Sequence, residues 1–245
     1  MNIINANYLT FAYGEGKQAH PVFKDLSLQV KKGETVGIVG CNGVGKSTLL
    51  RLLVGIELDY TGELSVCDMP VKRKNLSHIR KKAGYVFQDS ESQLFMTTVK
   101  EDVCFAPLNY GMTREEAMQC TMEALKKVHM EDQADRRIYQ LSGGQKKLAA
   151  IATVLVMEPE VLIMDEPSVA LDPVNRENLT NVLNGLSTTK VIASHDLDFI
   201  YDTCKRTVIL HDGALAADGS TKEILRDEAL LRRYGLRLPL AFRRT

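Results

Sequence analysis

The sequence predicts an α/β fold built around a mostly parallel sheet. Short, nearly unbroken apolar runs recur along the chain, and stretches with the period of amphipathic helices separate them. Polar clusters follow directly on those runs or open the helices, which is where such sheets bind their ligands.

The elements follow in order. Ile3 to Phe11 and Asp25 to Val30 alternate apolar with polar residues across a Gly-containing loop, the period of half-buried strands. After the turn Lys31-Lys32-Gly33-Glu34, the run Thr35-Val36-Gly37-Ile38-Val39 reads as a central strand covered on both faces. Tyr85-Val86-Phe87, Val161 to Met164 and Val191-Ile192-Ala193 share that character. Asp89 to Leu141 breaks the rhythm with loops and one strong helix, and reads as a helical insertion. That helix opens on the capping box Thr113-x-x-Glu116 and carries Ala117, Thr121, Leu125 and Val128 along one face. The charge-free run Leu148 to Met157 is a buried helix segment, since a bilayer span needs about 20 residues. Thr207 to Ser220 reads as a hairpin turning at Asp212-Gly213, and Ser220-x-x-Glu223 as the cap of a last helix.

Composition narrows the function classes. Among 245 residues, Lys+Arg 31 balance Asp+Glu 31, so a general nucleic-acid binder held by phosphate neutralisation is excluded. With 44% hydrophobic and 25% charged residues, the chain has the mix of a folded globular protein. Cys41, Cys67, Cys104, Cys120 and Cys204 form no C-x-x-C pair, so neither a disulfide framework nor a zinc site is expected and a reducing cytosol fits. His20, His78, His129 and His211 lack metal-ligand spacing and read as surface or turn histidines. The polar start Met1 to Thr10 is not that of a signal peptide, so work at a membrane would require another chain to hold this one there.

Gly40-Cys41-Asn42-Gly43-Val44-Gly45-Lys46-Ser47 matches G-x-x-x-x-G-K-[ST] between a buried strand and a helix. The glycines let backbone N–H groups and the helix N-terminus face a phosphate chain; Lys46 brings a point charge and Ser47 a ligand for Mg²⁺. Val161 to Glu166 is a buried strand delivering two carboxylates to its end, Asp165 to support Mg²⁺ and Glu166 to polarise an attacking water. Leu141-Ser142-Gly143-Gly144-Gln145 opens another helix with a second anion-seeking N-terminus, which raises the question whether it serves the nucleotide of a partner chain.

The phosphate loop, Gln88 after a strand, Leu-Ser-Gly-Gly-Gln, Asp165-Glu166, Ala170-Leu171-Asp172 and His195 after a strand resemble, in this order, the ATP-binding cassette (ABC) ATPases across most of the chain. The resemblance implies a P-loop NTPase core with a mixed sheet, an antiparallel β subdomain and an inserted helical subdomain. Residues 1–225 would form one nucleotide-binding domain (core 1–88 and 142–225, insertion 89–141), with a basic tail over 226–245. Two such chains would sandwich two ATP molecules with Mg²⁺. By resemblance Gly40, Asn42, Gly43, Gly45, Lys46, Ser47 and Thr48 hold the nucleotide; Ser47, Gln88 and Asp165 serve the metal; Glu166, His195, Lys46 and Gln88 carry catalysis. Ser142 and Gly144 would contact the γ phosphate of the opposite chain, Asp172 would couple the two sites, and Tyr13 would stack on adenine or pack in the core.

Phe87 to Phe95, Thr98 to Pro107 and the terminal Gly235-Leu236-Arg237-Leu238-Pro239 look like the ATPase subunits of energy-coupling-factor transporters, including cobalt and nickel importers. Leu94, Phe95, Val99 and Phe105 either grip a membrane partner or form the insertion's core. The resemblance implies a peripheral ATPase on the cytoplasmic face of the membrane, working with an integral scaffold and substrate-binding membrane subunits, as a homodimer or with a paralogous ATPase, and without nucleic acid. One half of a heterodimeric pair in a vitamin importer is the alternative; from another class, a soluble ABC protein acting on nucleic acid or ribosomes. Ser168-Val169-Ala170 stands where Thr-Ala-Gly is common in the group, Leu148 where a basic residue is usual, and Cys41 where Pro is common. The six arginines between Arg226 and Arg244 suit a solvated helix face, a dimer contact or a membrane surface.

Overall fold

The computed structural model describes residues 1–14 and 16–242. In chain order its elements are β1 (Asn2–Tyr13), β2 (His20–Lys31), β3 (Thr35–Val39), α1 (Lys46–Leu53), β4 (Tyr60–Val66), β5 (Met69–Pro70), α2 (Leu76–Lys82), β6 (Ala83–Val86), α3 (Val99–Asn109), α4 (Arg114–Lys127), α5 (Gly143–Leu155), β7 (Val161–Asp165), α6 (Pro173–Gly185), β8 (Thr189–Ala193), α7 (Leu197–Thr203), β9 (Arg206–His211), β10 (Ala214–Ser220), α8 (Thr221–Ile224) and α9 (Glu228–Arg233), joined by short 3₁₀ turns.

Two sheets form the frame. The larger has the order β10-β9-β3-β8-β7-β6, parallel from β9 to β6 and closed by the antiparallel hairpin β9-β10; the smaller, β2-β1-β4-β5, is antiparallel. The mixed sheet and the antiparallel sheet are thus both present. Period-two side-chain alternation explains how the central strands can be apolar throughout. Val161, Ile163, Val191, Ala193, Val208 and Leu210 face a core shared with α1 and the antiparallel sheet. Their neighbours Leu162, Met164, Ile192 and Ile209 face the opposite core, under α5, α6 and α7. The hairpin turns as expected, with Asp212 at φ 44° and Gly213 at φ 75°, the positive pair of a tight two-residue connection.

Between β6 and α5 the chain contains two α-helices rather than one. The helix α4 starts on the expected capping box, with Glu116 Oε2 accepting from the Thr113 N–H at 2.9 Å and Thr113 Oγ1 from the Glu116 N–H at 3.3 Å, and it buries Ala117, Thr121 and Leu125. The additional helix α3 is disguised by Pro107 in its interior. Glu101 closes its first turn by accepting from the Thr98 N–H at 2.9 Å, and Val99 and Val103 are fully buried. Leu94 and Val99 are core, whereas Phe95 and Phe105 meet edge to face at 4.9 Å and stay 65% and 38% exposed.

The chain's end also departs from expectation. Ser220 makes no side-chain cap, α8 is one turn long, and the chain continues into α9, capped by Asp227, whose Oδ1 accepts from the Leu230 N–H at 2.9 Å. The segment keeps Arg226, Arg232, Arg233 and Arg237 exposed, as a solvated basic face would, but packs its apolar side: Leu231 is fully buried, Phe242 meets the Tyr201 ring edge-on at 4.8 Å, and the Arg226 guanidinium lies 5.0 Å from the Phe242 centroid. Arg243 and Arg244 lie outside the described residues.

Candidate active site

Parallel pairing of β3, β8, β7 and β6 brings four strand ends to one edge, and each delivers a singled-out residue. After β3 the chain curls through residues 40–45 into α1. Gly45 sits at φ 103°, and a Cβ there would lie 2.7 Å from Val22 Cγ1 and 2.9 Å from Phe23 Cε1, so no other residue fits. Lys46, 7% exposed, donates to the carbonyls of Gly40 at 2.9 Å and Cys41 at 3.3 Å, with its Nζ 3.8 Å from Glu166 Oε1. Cys41 is the outer wall of the loop: its Sγ lies 3.4 Å from the carbonyl oxygen of Tyr234, at the end of α9.

After β7, Asp165 accepts from Ser47 Oγ at 3.0 Å on Oδ1 and from the Tyr85 hydroxyl at 3.2 Å on Oδ2. Burial, reinforced by the Asp165 charge, pushes the Tyr85 hydroxyl's pKa well up, so it stays a proton donor. Glu166 follows at φ 46°, an uncommon conformation for a non-glycine residue. Its Oε2 accepts from Ser194 Oγ and the His195 N–H, both at 3.1 Å, and lies 2.8 Å from His195 Nδ1. Burial of Glu166 (6% exposed) is thereby matched by partners on the end of β8.

These residues enclose a cavity of about 400 Å³ lined by Asn42, Gly43, Gly45, Lys46, Ser47, Thr48, Gln88, Glu166, Val169 and His195. Tyr13 adjoins it, with its hydroxyl 3.2 Å from Thr48 Oγ1 and its ring edge-on to Phe11 at 4.9 Å. Ser47 and Gln88 line the cavity, and the buried Asp165, outside the lining, adjoins it through its hydrogen bond with Ser47; hydroxyl, amide and carboxylate oxygens are a hard donor set that suits Mg²⁺. No group of three His, Cys, Asp or Glu side chains among the described residues forms a metal cage, so such an ion would draw its other ligands from phosphate and water.

Ser142, Gly144 and Asp172 do not line this cavity. Ser142 caps α5 reciprocally with Gln145, Oγ accepting at 3.3 Å and the N–H donating at 3.0 Å. Asp172 caps α6, accepting from the Asn175 N–H at 2.9 Å, and these hydrogen bonds hold its carboxyl below the usual range. Gly144 packs on the same turn: a Cβ there would stand 2.3 Å from Asn175 Cγ. In the sequence Tyr85 reads only as a strand residue, and no motif marks Ser194 or Val169 as functional. A hydroxyl at the end of a buried strand, just before His195, was the available signal for Ser194.

Residues 23–169 match the family described as "ABC transporter". The chain is an ABC transporter ATPase. It is 43% identical over 239 residues, 98% of this chain and 91% of the relative, to an ABC transporter ATP-binding protein of Streptomyces coelicolor. It is 40% identical over 244 residues, 98% of this chain and 86% of the relative, to the energy-coupling factor transporter ATP-binding protein EcfA of Methanocaldococcus jannaschii. Among solved structures, cbiO1 from Clostridium perfringens, part of the ABC transporter complex cbiONQ, superposes with a TM-score of 0.84 at 35% identity, covering 97% of this chain and 96% of that one. A dimeric ATP-binding cassette in a post-hydrolysis state, bound to ADP and phosphate, superposes with a TM-score of 0.80 at 29% identity over 89% of this chain and 98% of that one. The ATPase accordingly binds and hydrolyses ATP.

Proposed function

We propose that this ATPase drives a membrane importer of the energy-coupling-factor type, with cobalt or nickel ions as the cargo class. The observation that carries the reading is an apolar surface beside Gln88, at the position where the narrower resemblance lies. A groove of about 370 Å³ between α2 and α3 is lined by Ile56, Phe87, Ala106, Tyr110, Val154 and Met157, among others, and Lys81 lies 5.7 Å over the Tyr110 ring. Ile56, Phe87 and Tyr110 on this groove are 44%, 39% and 41% exposed, a grouping of large apolar side chains that suits a docking surface. No described helix is long and apolar enough to cross a membrane, so the surface would take a segment of an integral scaffold, and the ATPase would sit peripherally on its cytoplasmic face. The EcfA and cbiO1 similarities support the same assignment.

In this reading the domain spans residues 1–225 and closes as a dimer. Gly40, Asn42, Gly43, Gly45, Lys46, Ser47 and Thr48 cradle the phosphates, and Tyr13 stands at the adenine end. Mg²⁺, held by Ser47, Asp165 and Gln88, would neutralise phosphate charge. Glu166 orients and polarises the attacking water, His195 steadies the γ phosphate, and Lys46 counters its charge. Ser142 and Gly144 present the N-terminus of α5 to the nucleotide of the second subunit, and Asp172 links the two sites. Closure of the pair moves the groove, and the groove moves the scaffold.

The test is to solubilise native membranes in mild detergent and identify what copurifies with the tagged chain. An integral scaffold with this chain as its sole ATPase supports the homodimeric metal importer. A second ATPase with assorted small membrane subunits gives the vitamin-importer alternative, and RNA or DNA in place of membrane protein overturns the reading.

A further inference from the structure

Lys147 is a buried cation that the nucleotide cavity does not use. Lys147, 3% exposed on α5, lies outside the phosphate site, and its ammonium is held by two backbone carbonyls, that of Gln88 at 2.7 Å and that of Phe87 at 3.2 Å. Burying an ammonium on neutral acceptors is unfavourable compared with an apolar side chain of the same length. The position of its two acceptors defines what the ammonium does.

What it holds is the peptide bearing Gln88, and α5 grips the same stretch twice more. Gln93 accepts from the Phe87 N–H at 3.1 Å and donates to Ala150 O at 2.7 Å and Thr153 Oγ1 at 2.8 Å, both on α5. Lys146 ion-pairs with Glu91. Residues 87–93 and α5 are therefore fastened as one body, while the Gln88 side chain is exposed to the nucleotide cavity. The N-terminus of that body is the Ser142-Gly143-Gly144 turn, which lies off the cavity.

We propose that Lys147 is a positioning residue that ties the backbone of Gln88 to α5, so that docking of the α5 N-terminus on the second subunit's nucleotide sets the place of Gln88 in the chain's own site. This rests on the reading above, in which two subunits close around ATP. Each subunit then learns through Lys147 whether its partner is loaded. A side chain that merely stabilised the fold would change activity independently of Gln88.

The test uses the complete membrane complex, measuring kcat and KM for ATP in Lys147→Met, Lys147→Arg, Gln88→Ala and the double variant Lys147→Met/Gln88→Ala. Misplacement of a positioned group predicts that Lys147→Met lowers kcat by about 10- to 100-fold. KM should stay within about twofold, because nucleotide capture is left to the phosphate loop. Lys147→Arg, which keeps the donors, should recover most of the rate, and the double variant should be no slower than Gln88→Ala alone. A Lys147→Met rate within about twofold of the parent, or a double variant in which the two losses multiply, overturns the proposal. Should Lys147→Met fail to fold, Gln93→Leu removes a second tie to the same peptide and must reproduce the kcat loss and its non-additivity with Gln88→Ala. ATP-dependent dimerisation of Glu166→Gln is the control: its absence would sink the two-subunit reading itself, whereas its presence with an unimpaired Lys147→Met would sink only this role.

Discussion

Glu166 Oε2 lies 2.8 Å from His195 Nδ1, and the same oxygen takes up the Ser194 hydroxyl and the His195 N–H. Its other oxygen, Oε1, faces Lys46 Nζ at 3.8 Å. One carboxylate thus connects the ends of β7 and β8 with the phosphate loop, at a residue whose own backbone is held at φ 46°.

Replacing Glu166 with Gln keeps the shape and removes the charge. ATP binding is expected to persist, turnover to fall by about 10² to 10⁴-fold, and ATP to trap a dimer visible by size exclusion. Near-normal phosphate release from this variant would remove Glu166 from the water-polarising role.

Thiol chemistry should separate the cysteines. Cys41 is exposed, whereas burial pushes the Cys67 thiol up to about 11 and the Cys204 thiol up to about 12, leaving little thiolate on either near neutral pH. Alkylation under native conditions should modify Cys41 first and block ATP hydrolysis, and bound ATP should protect it. Peptide mapping by mass spectrometry alongside the activity assay checks both; full labelling of Cys41 with unchanged activity would contradict the expectation.

Ala170 occupies the position where Gly is common among the energy-coupling-factor ATPases, yet its φ is 61°. A left-handed alanine costs about 1–2 kcal/mol, partly offset by the lower unfolded-state entropy of alanine compared with glycine. Ala170→Gly should therefore stabilise the protein by up to about 1 kcal/mol, seen as a rise in Tm of about 2–4 °C. An unchanged or lower Tm would mean the strain is relieved elsewhere in the turn.

At Gly144 the sign reverses. A methyl group placed 2.3 Å from Asn175 Cγ must displace the side chain that braces Asp172, so Gly144→Ala should cost about 1–3 kcal/mol and impair hydrolysis. Adding Asn175→Ala makes room and should restore much of the stability without restoring the Asp172 brace. Urea denaturation of the single and double variants distinguishes crowding from loss of a nucleotide contact.

Most of the strand framework and the phosphate loop were legible in the sequence because each rests on a local rule: period-two runs, a glycine loop before a helix, a capping box. The hidden elements broke such rules. Pro107 masks α3, and Ser220 stands at the N-cap of the one-turn α8 without a side-chain cap, the chain continuing into α9. The site's supporting groups were harder to read, since Tyr85, Ser194 and Lys147 matter through partners remote in sequence: Asp165, Glu166 and the Phe87–Gln88 carbonyls. The charged tail was legible in part: its described arginines are exposed, as a solvated helix face requires, while the packing of Leu231 and Phe242 beneath them is not marked by any local period.

The contact between Cys41 and the carbonyl of Tyr234 joins positions 193 residues apart. The wall of the phosphate loop is therefore completed last, after every recognisable motif has been laid down. A fragment ending at β10 would carry an intact inventory of signature residues and still present a bare flank beside its nucleotide, so completeness judged by motifs overstates what such a fragment contains.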